Sequence, residues 1–164
     1  MATAREQVIE WLRDAHATEE QAHTLLRKTA QQIDGHPEFR ARLEQHGELS
    51  ADQARRLRAC LEGLGEGPSA LKMITGQIAA FGQTLSGYVV GDEPVKAVLA
   101  TSTFAQMEVA SYRILVSAAS AAGMSDVSAL CQALLDEELD FADWLERHTE
   151  TVTRQYLMAT GADA

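Results

Sequence analysis

The sequence has few prolines, few cysteines and no long apolar run, and each scarcity excludes a class of protein. Only two cysteines, Cys60 and Cys131, occur in 164 residues. A disulfide-stabilised scaffold is therefore excluded, and both are expected to be free thiols in a reducing cytoplasm. The longest weakly polar stretch, Ile114 to Met124, is too short to cross a bilayer, and the first residues lack a signal-peptide pattern. We expect a cytoplasmic protein without a membrane-spanning segment.

Basic residues are also scarce: the sequence has 14 Lys and Arg residues and 24 Asp and Glu residues, which give a formal net charge of −10. Nucleic-acid binding relies on clustered cations that neutralise phosphates, so no nucleic-acid partner is expected. The one basic cluster, Arg55, Arg56 and Arg58, is interpreted as part of a solvated face of mixed charge. Glycine-rich phosphate loops, nucleophile elbows and recognisable thiol motifs are absent, which argues against a nucleotide enzyme or a hydrolase.

The three prolines all fall where a helix would begin. Proline in the first turn of a helix and glycine beyond its end are common boundary signals. The β-branched residues never alternate over more than a few positions, so no strand is predicted. The boundary signals predict five helices: Thr3–Ile33, Pro37–Leu64, Ser69–Val89, Pro94–Ala122 and Ser125–Met158.

Four of the predicted helices are long, and the one over Ser69–Val89 is shorter and contains three glycines. A short helix between two long hairpins is typical of a crossover connection in a four-helix bundle. A chain of this length forms one ordinary globular domain. The expected fold is therefore an all-α four-helix bundle with a short extra helix on the crossover, in a single domain over residues 1–164.

Glu19, Glu108 and Glu138 each interrupt the apolar stripe of a different predicted helix. His46 and Gln53 occupy the corresponding depth on the second helix. Isolated buried carboxylates are too costly to leave without compensation. The three acids are therefore expected to share a metal ion, to share protons, to pair with arginines of a neighbouring helix or to face a wet groove. His46 is either a ligand or a hydrogen-bonded core histidine.

Several short segments resemble the YciF/YciE-like branch of the ferritin-like superfamily over roughly Leu12 to His148. They are the run from Leu12 to Gln21, His36-Pro37-Glu38-Phe39, His46 with Glu48, Glu108 to Tyr112, and Leu134 to Glu138. The resemblance implies a ferritin-like domain of the stress-associated type, a di-iron carboxylate centre and a homodimer. Trp11, Tyr88 and Leu157 are expected to contribute to the apolar surface of that dimer.

The chain also departs from the pattern of that branch. Leu49 stands in place of a glutamate, Ala105 and Gln106 in place of a Glu-His pair, and Ala142 in place of an aspartate. The resemblance therefore implies a reduced metal site that binds at most one ion per chain. Glu19, Glu108 and Glu138 are the residues carried over to that site, and His46 and Gln53 are expected to lie beside them as further ligands.

One literal Glu-x-x-His pair, Glu20 with His23, lies on the first helix and shares a face with His16. A dinuclear carboxylate centre takes such pairs from two helices. A single pair arises easily by chance, so His16 and His23 are interpreted as surface histidines that flank the inward Glu19.

Two functions remain open at this point. In the first, the bundle binds iron or manganese, because a carboxylate-rich site with little imidazole favours these harder ions. The resemblance then implies oxidation of iron or disposal of peroxide. In the second, the protein is a non-enzymatic bundle that holds no cofactor and serves as a dimerisation or partner-binding protein. The sequence leaves open whether the protein is an enzyme.

Overall fold

The computed structural model describes residues 1–67 and 94–161. These residues form four long helices and no strand: α1 (Ala4–Gln32), α2 (Pro37–Gly63), α3 (Pro94–Ala121) and α4 (Ser125–Ala159). The all-α prediction is confirmed, and each of these helices begins and ends within one residue of its predicted bounds. The short helix predicted over Ser69–Val89 lies outside the described residues.

Local chemistry at the helix ends explains these boundaries. Thr3 caps α1, because its side chain accepts a hydrogen bond from the Glu6 amide while the Glu6 carboxylate accepts one from the Thr3 amide. Pro37 occupies the first turn of α2, where its missing N–H costs nothing. Between α3 and α4, Gly123 has a φ of 70°, and the Met124 amide donates to the Ala119 carbonyl at 2.9 Å. This is the glycine-dependent Schellman ending of a helix.

The helices form two antiparallel hairpins that pack on each other. Residues 33–36 connect α1 to α2 and residues 122–124 connect α3 to α4, while α1 also packs on α3 and α2 on α4. The pairs Arg42–Asp140 and Glu38–His148 show that α2 and α4 run in opposite directions. It follows that α2 and α3 run in the same direction, as in bundles with a long crossover connection.

All four helices contribute apolar side chains to one core, and the free thiol of Cys131 is buried in it. Among the described residues, no helix combines the length and the apolarity needed to span a membrane. The largest fully buried apolar side chains are Leu12 and Leu26 of α1, Leu43, Leu57 and Leu61 of α2, Phe104 and Tyr112 of α3, and Leu134, Phe141 and Leu145 of α4.

Candidate metal site

The middle of this core is polar. Glu19 of α1, His46 and Gln53 of α2, Glu108 of α3 and Glu138 of α4 are all at most 1% exposed. Each replaces an apolar residue on the inward stripe of its helix, so the helical period alone directs it to the interior. The five residues singled out in the sequence therefore all lie inside the bundle.

Three of these residues form a tight group. One ligand atom from each of His46, Glu108 and Glu138 lies within 4.8 Å of the other two. The His46 Nε2 atom is 3.1 Å from the Glu138 Oε2 atom. The imidazole ring stacks on Phe141, with a centroid separation of 3.7 Å, which fixes its orientation. One nitrogen and two carboxylates thus converge from three helices.

Gln53 orients Glu138 within this group. Its amide nitrogen donates to Glu138 Oε1 at 2.7 Å and to the neighbouring Glu137 at 3.0 Å. Arg56 also binds Glu137, at 2.5 Å. The arginine therefore neutralises the outer carboxylate of the pair, and none of the three buried glutamates pairs with an arginine in the part of the chain that is described.

Glu19 lies outside the group of three and has a different partner. Tyr112, one turn beyond Glu108 on α3, is buried and donates its hydroxyl to Glu19 Oε1 at 2.5 Å. Tyr112 was not among the site residues predicted from the sequence. Its spacing of four residues from Glu108 was the available signal, because such residues share one helix face.

Several buried polar atoms at this centre have no hydrogen bond of good geometry to another described residue, although the carboxyl group of Glu108 lies close enough to those of Glu19 and Glu138 to share protons with them. They include both carboxylate oxygens of Glu108, Oε2 of Glu19, Nδ1 of His46 and Oε1 of Gln53. Buried acceptors without donors are costly and uncommon in folded proteins. Four of these five atoms are oxygens, and a bound cation satisfies such oxygens well. The donor set therefore fits a metal ion.

The pKa values of the buried acids show the cost of placing several carboxylates together without a cation. Burial raises the pKa of Glu108 well above its usual value, and the charges of Glu19 and Glu138 raise it further. Burial and the charge of Glu138 also raise the pKa of Glu19, although the Tyr112 hydrogen bond opposes this. Without a cation, these acids therefore favour their protonated forms.

The positions where the chain departs from the family pattern offer no further ligands. Ala105 and Ala142 are buried but carry no donor atom, and Gln106 is exposed. Glu48 is exposed and faces Arg27 at 3.6 Å.

The Glu20–His23 pair also lies apart from the group of three. Glu20 is about half exposed, and His23 Nδ1 contacts the Gly47 carbonyl at 2.7 Å. His16, by contrast, is 1% exposed. The prediction of a surface histidine was therefore wrong for His16, because its ring is enclosed between α1 and α2.

A groove between α1 and α3 leads toward the polar centre. Its volume is about 530 Å³, and Glu19, Glu108 and Tyr112 are among the residues that line it. The other walls are mainly apolar and include Trp11 and Leu115. The groove therefore ends against the carboxylates of α1 and α3, which are themselves at most 1% exposed.

The fold and this centre define a class of protein: four-helix bundles whose interior carries carboxylates and histidine from facing helices. The chain belongs to the family described as Domain of unknown function (DUF892), whose model matches residues 3–158. The predicted YciF-like relationship is confirmed.

Three solved structures are similar over nearly the whole chain. A crystal structure from Xanthomonas campestris pv. campestris is 32% identical, with a TM-score of 0.79 and coverage of 98% of this chain and 99% of that one. The stress protein YciF of Escherichia coli is 20% identical, with a TM-score of 0.81 and coverage of 94% and 99%. YcfI from Rhodopseudomonas palustris is 23% identical, with a TM-score of 0.76 and coverage of 88% and 94%.

Proposed function

We propose that this protein binds one iron or manganese ion per chain at the centre of the bundle. The observation that carries the proposal is the convergence of His46, Glu108 and Glu138. In the described part of the chain, the only groups that can donate to the Glu108 oxygens there are the carboxyl groups of Glu19 and Glu138, and then only when they are protonated. A carboxylate-rich donor set with one imidazole favours hard divalent ions over copper or zinc. Six-coordinate binding would be completed by water.

The five residues have different roles in this proposal. His46 Nε2 and the carboxylates of Glu108 and Glu138 hold the ion, and Glu19 Oε2 is a further acceptor on the groove side. Gln53 holds Glu138 in place through its amide hydrogen bond. Tyr112 holds Glu19 in the same manner. Hydrogen-bonded supports of this kind fix the geometry of metal ligands and tune their affinity.

The bound ion would supply redox chemistry with peroxide or dioxygen. The chain itself provides a groove of about 530 Å³ with a mainly apolar lining beside the carboxylates, and a small oxidant would approach the ion from this side. The Escherichia coli relative is called a stress protein. A role in oxidative stress for the present chain is part of this proposal.

The proposal is tested by anaerobic calorimetric titration of chelator-treated protein with Fe²⁺ and with Mn²⁺. One ion is expected per chain. Glu138→Gln should abolish binding, whereas Glu146→Gln, an exposed position on the same helix, should leave it unchanged. Bound metal should also raise the melting temperature of the wild type and not that of Glu138→Gln. Tight binding of two ions per chain would show instead that the centre is dinuclear.

The alternative function is a metal-free bundle that acts as a dimerisation or partner-binding protein. Three exposed apolar side chains favour a homodimer: Leu99 and Ile114 of α3 are 58% and 56% exposed, and Leu157 of α4 is 43% exposed. Trp11, at 37% exposed, lies beside Ile114 at the groove, while Tyr88 lies outside the described residues. Exposed apolar side chains of this kind would be buried in such an interface.

Sedimentation equilibrium at micromolar concentrations tests the dimer. A dimer that dissociates in Ile114→Lys is expected, with metal content unchanged. A monomer at all concentrations would contradict the homodimer. A dimer that never binds metal would favour the non-enzymatic alternative.

A further inference from the structure

A second groove lies between α1 and α2, separate from the carboxylate centre, and most of its lining residues are polar or charged. It has a volume of about 390 Å³, and its lining includes His16, Glu20 and His23 of α1 and Arg55 and Arg58 of α2. None of these residues belongs to the group of His46, Glu108 and Glu138. The groove has no part in the metal binding proposed above.

His16 is the unusual member of this groove. The side chain is buried, yet neither ring nitrogen has a hydrogen-bond partner. Burial lowers the pKa of His16; the nearby Glu20 opposes this effect and Arg58 adds to it. The imidazole is therefore neutral at pH 7 and carries one N–H that donates to nothing. A buried donor of this kind is costly unless a ligand accepts its hydrogen bond.

Glu20 only partly fills this position. Its Oε1 atom is 3.8 Å from His16 Nε2 and 3.4 Å from Arg58 Nη2, and both distances exceed those of good charge-assisted hydrogen bonds. The Glu20 side chain is 46% exposed and that of Arg58 is 51% exposed, so both can move. One loosely held carboxylate thus stands where an oxyanion can accept from both His16 and Arg58.

We propose that this groove binds a phosphate group, either as inorganic phosphate or as the monoester of a small organic molecule. Phosphate displaces the Glu20 carboxylate, accepts from the His16 N–H and takes both nitrogens of the Arg58 fork. Arg55 lies at the same groove, but its guanidinium is paired with Asp52 at 2.6 Å, so Arg58 is the main cationic group for the phosphate. The groove is larger than a phosphate ion requires, which leaves room for a small organic portion.

A divalent cation at His16, Glu20 and His23 is the competing assignment, and Glu20 distinguishes the two. If the ligand is an anion, Glu20→Gln removes a competing negative charge and should tighten binding severalfold. If the ligand is a cation, the same substitution removes a ligand and should weaken binding. A purely structural role of Glu20 would produce no gain in affinity.

The experiment is calorimetric titration of chelator-treated protein with inorganic phosphate and, separately, with glycerol 3-phosphate. One saturable site per chain is expected for at least one probe, and the preferred probe shows whether the organic portion is recognised. Arg58→Gln should weaken binding about tenfold, in keeping with loss of a charge-assisted hydrogen bond. Arg40→Gln is the matched control, because Arg40 is a similarly exposed arginine of α2 that faces Glu44.

His16→Phe should also weaken binding at least tenfold. Circular dichroism checks that this core variant is folded. If it is not, the variants at the exposed positions Glu20 and Arg58 still test the proposal. No saturable binding of either probe to the wild type and to Glu20→Gln would overturn the proposal. Equal affinity for acetate, or weaker binding in Glu20→Gln, would also overturn it. Because the protein is metal-free throughout, these results are independent of the metal titration.

Discussion

Glu108 is buried at the centre of the bundle, where its closest polar neighbours are the carboxyl groups of Glu19 and Glu138. Because its pKa is raised in the folded protein, the folded state holds a proton that the unfolded state releases at lower pH. The contribution of Glu108 to folding stability is therefore fully present at pH values below the ordinary carboxyl pKa. It is lost as the pH rises toward the raised pKa of the folded protein. The lowered pKa of His16 has the opposite sign, since its contribution increases with pH up to the ordinary histidine range.

Replacing Glu108 by Gln removes the contribution of Glu108 to the pH dependence of stability and leaves that of His16. In chelator-treated protein, Glu108→Gln should be more stable than the wild type by roughly 1–3 kcal/mol at pH 8. At this pH the folded wild type must either bury a charged carboxylate or keep a proton that the unfolded chain has released, and the neutral amide avoids both costs. The difference should shrink as pH falls toward 5. Urea unfolding at several pH values measures it. A difference that is independent of pH would show that Glu108 is not the titrating group.

Tyr112 makes a second residue-scale prediction. Tyr112→Phe keeps the ring but removes the hydroxyl that donates to the buried Glu19 carboxylate, which should cost roughly 1–3 kcal/mol of unfolding free energy. The control is Tyr156→Phe, a partly buried tyrosine of α4, for which a change within about 0.5 kcal/mol is expected. Equal losses in both variants would show that the Tyr112 hydroxyl contributes nothing specific to Glu19.

The residues of the candidate site were predictable from the sequence, because the helical repeat of apolar residues decides which face of a helix points inward. Glu19, Glu108 and Glu138 break apolar stripes, and they are buried as that pattern required. The contacts among them were not predictable. Whether Glu19 meets Tyr112 or joins the group around His46 depends on the rotation and axial stagger of packed helices, which a single stripe does not specify. The same limit explains why the burial of His16 was missed.

At the scale of helices and turns, the boundary residues carry most of the information. Helix ends fell within one residue of prediction because Pro37, Pro94 and Gly123 act through local backbone geometry. The way the helices pair was inferred only from the expected crossover. In the structure, that pairing depends on long-range contacts such as Arg42 with Asp140.

Two glycines near helix ends test this local chemistry. Gly123 has a positive φ and no atom within 4 Å of a Cβ added there, so Gly123→Ala introduces backbone strain without a clash. A loss of about 1 kcal/mol is expected. Gly63, the last residue of α2, has equally open space but an ordinary helical φ, so Gly63→Ala should be neutral or stabilising by up to about 1 kcal/mol. Thermal melts of both variants measure the contrast, and losses of equal size would contradict it.

At the scale of the whole molecule, the polar centre links the two hairpins. Glu19 and His46 come from the α1–α2 hairpin, and their partners Tyr112 and Glu138 come from the α3–α4 hairpin. Either hairpin alone would expose these acids and half of the apolar core to water. The bundle should therefore unfold as one unit, which is also what a single domain over residues 1–164 predicts.

The two tryptophans allow a direct test, because Trp11 lies on α1 and Trp144 lies on α4. Trp144 stacks on His148 of its own helix at 3.8 Å and on Phe39 of α2 at 6.3 Å, whereas Trp11 lines the groove between α1 and α3. The two tryptophans therefore lie on different hairpins and in different parts of the contact between them. In Trp11→Phe only the α4 reporter remains, and in Trp144→Phe only the α1 reporter remains. Within each variant, urea unfolding followed by fluorescence should give the same midpoint as circular dichroism, because the hairpins cannot separate without exposing the buried acids. Fluorescence and dichroism midpoints that differ in either variant would show that one hairpin unfolds before the other.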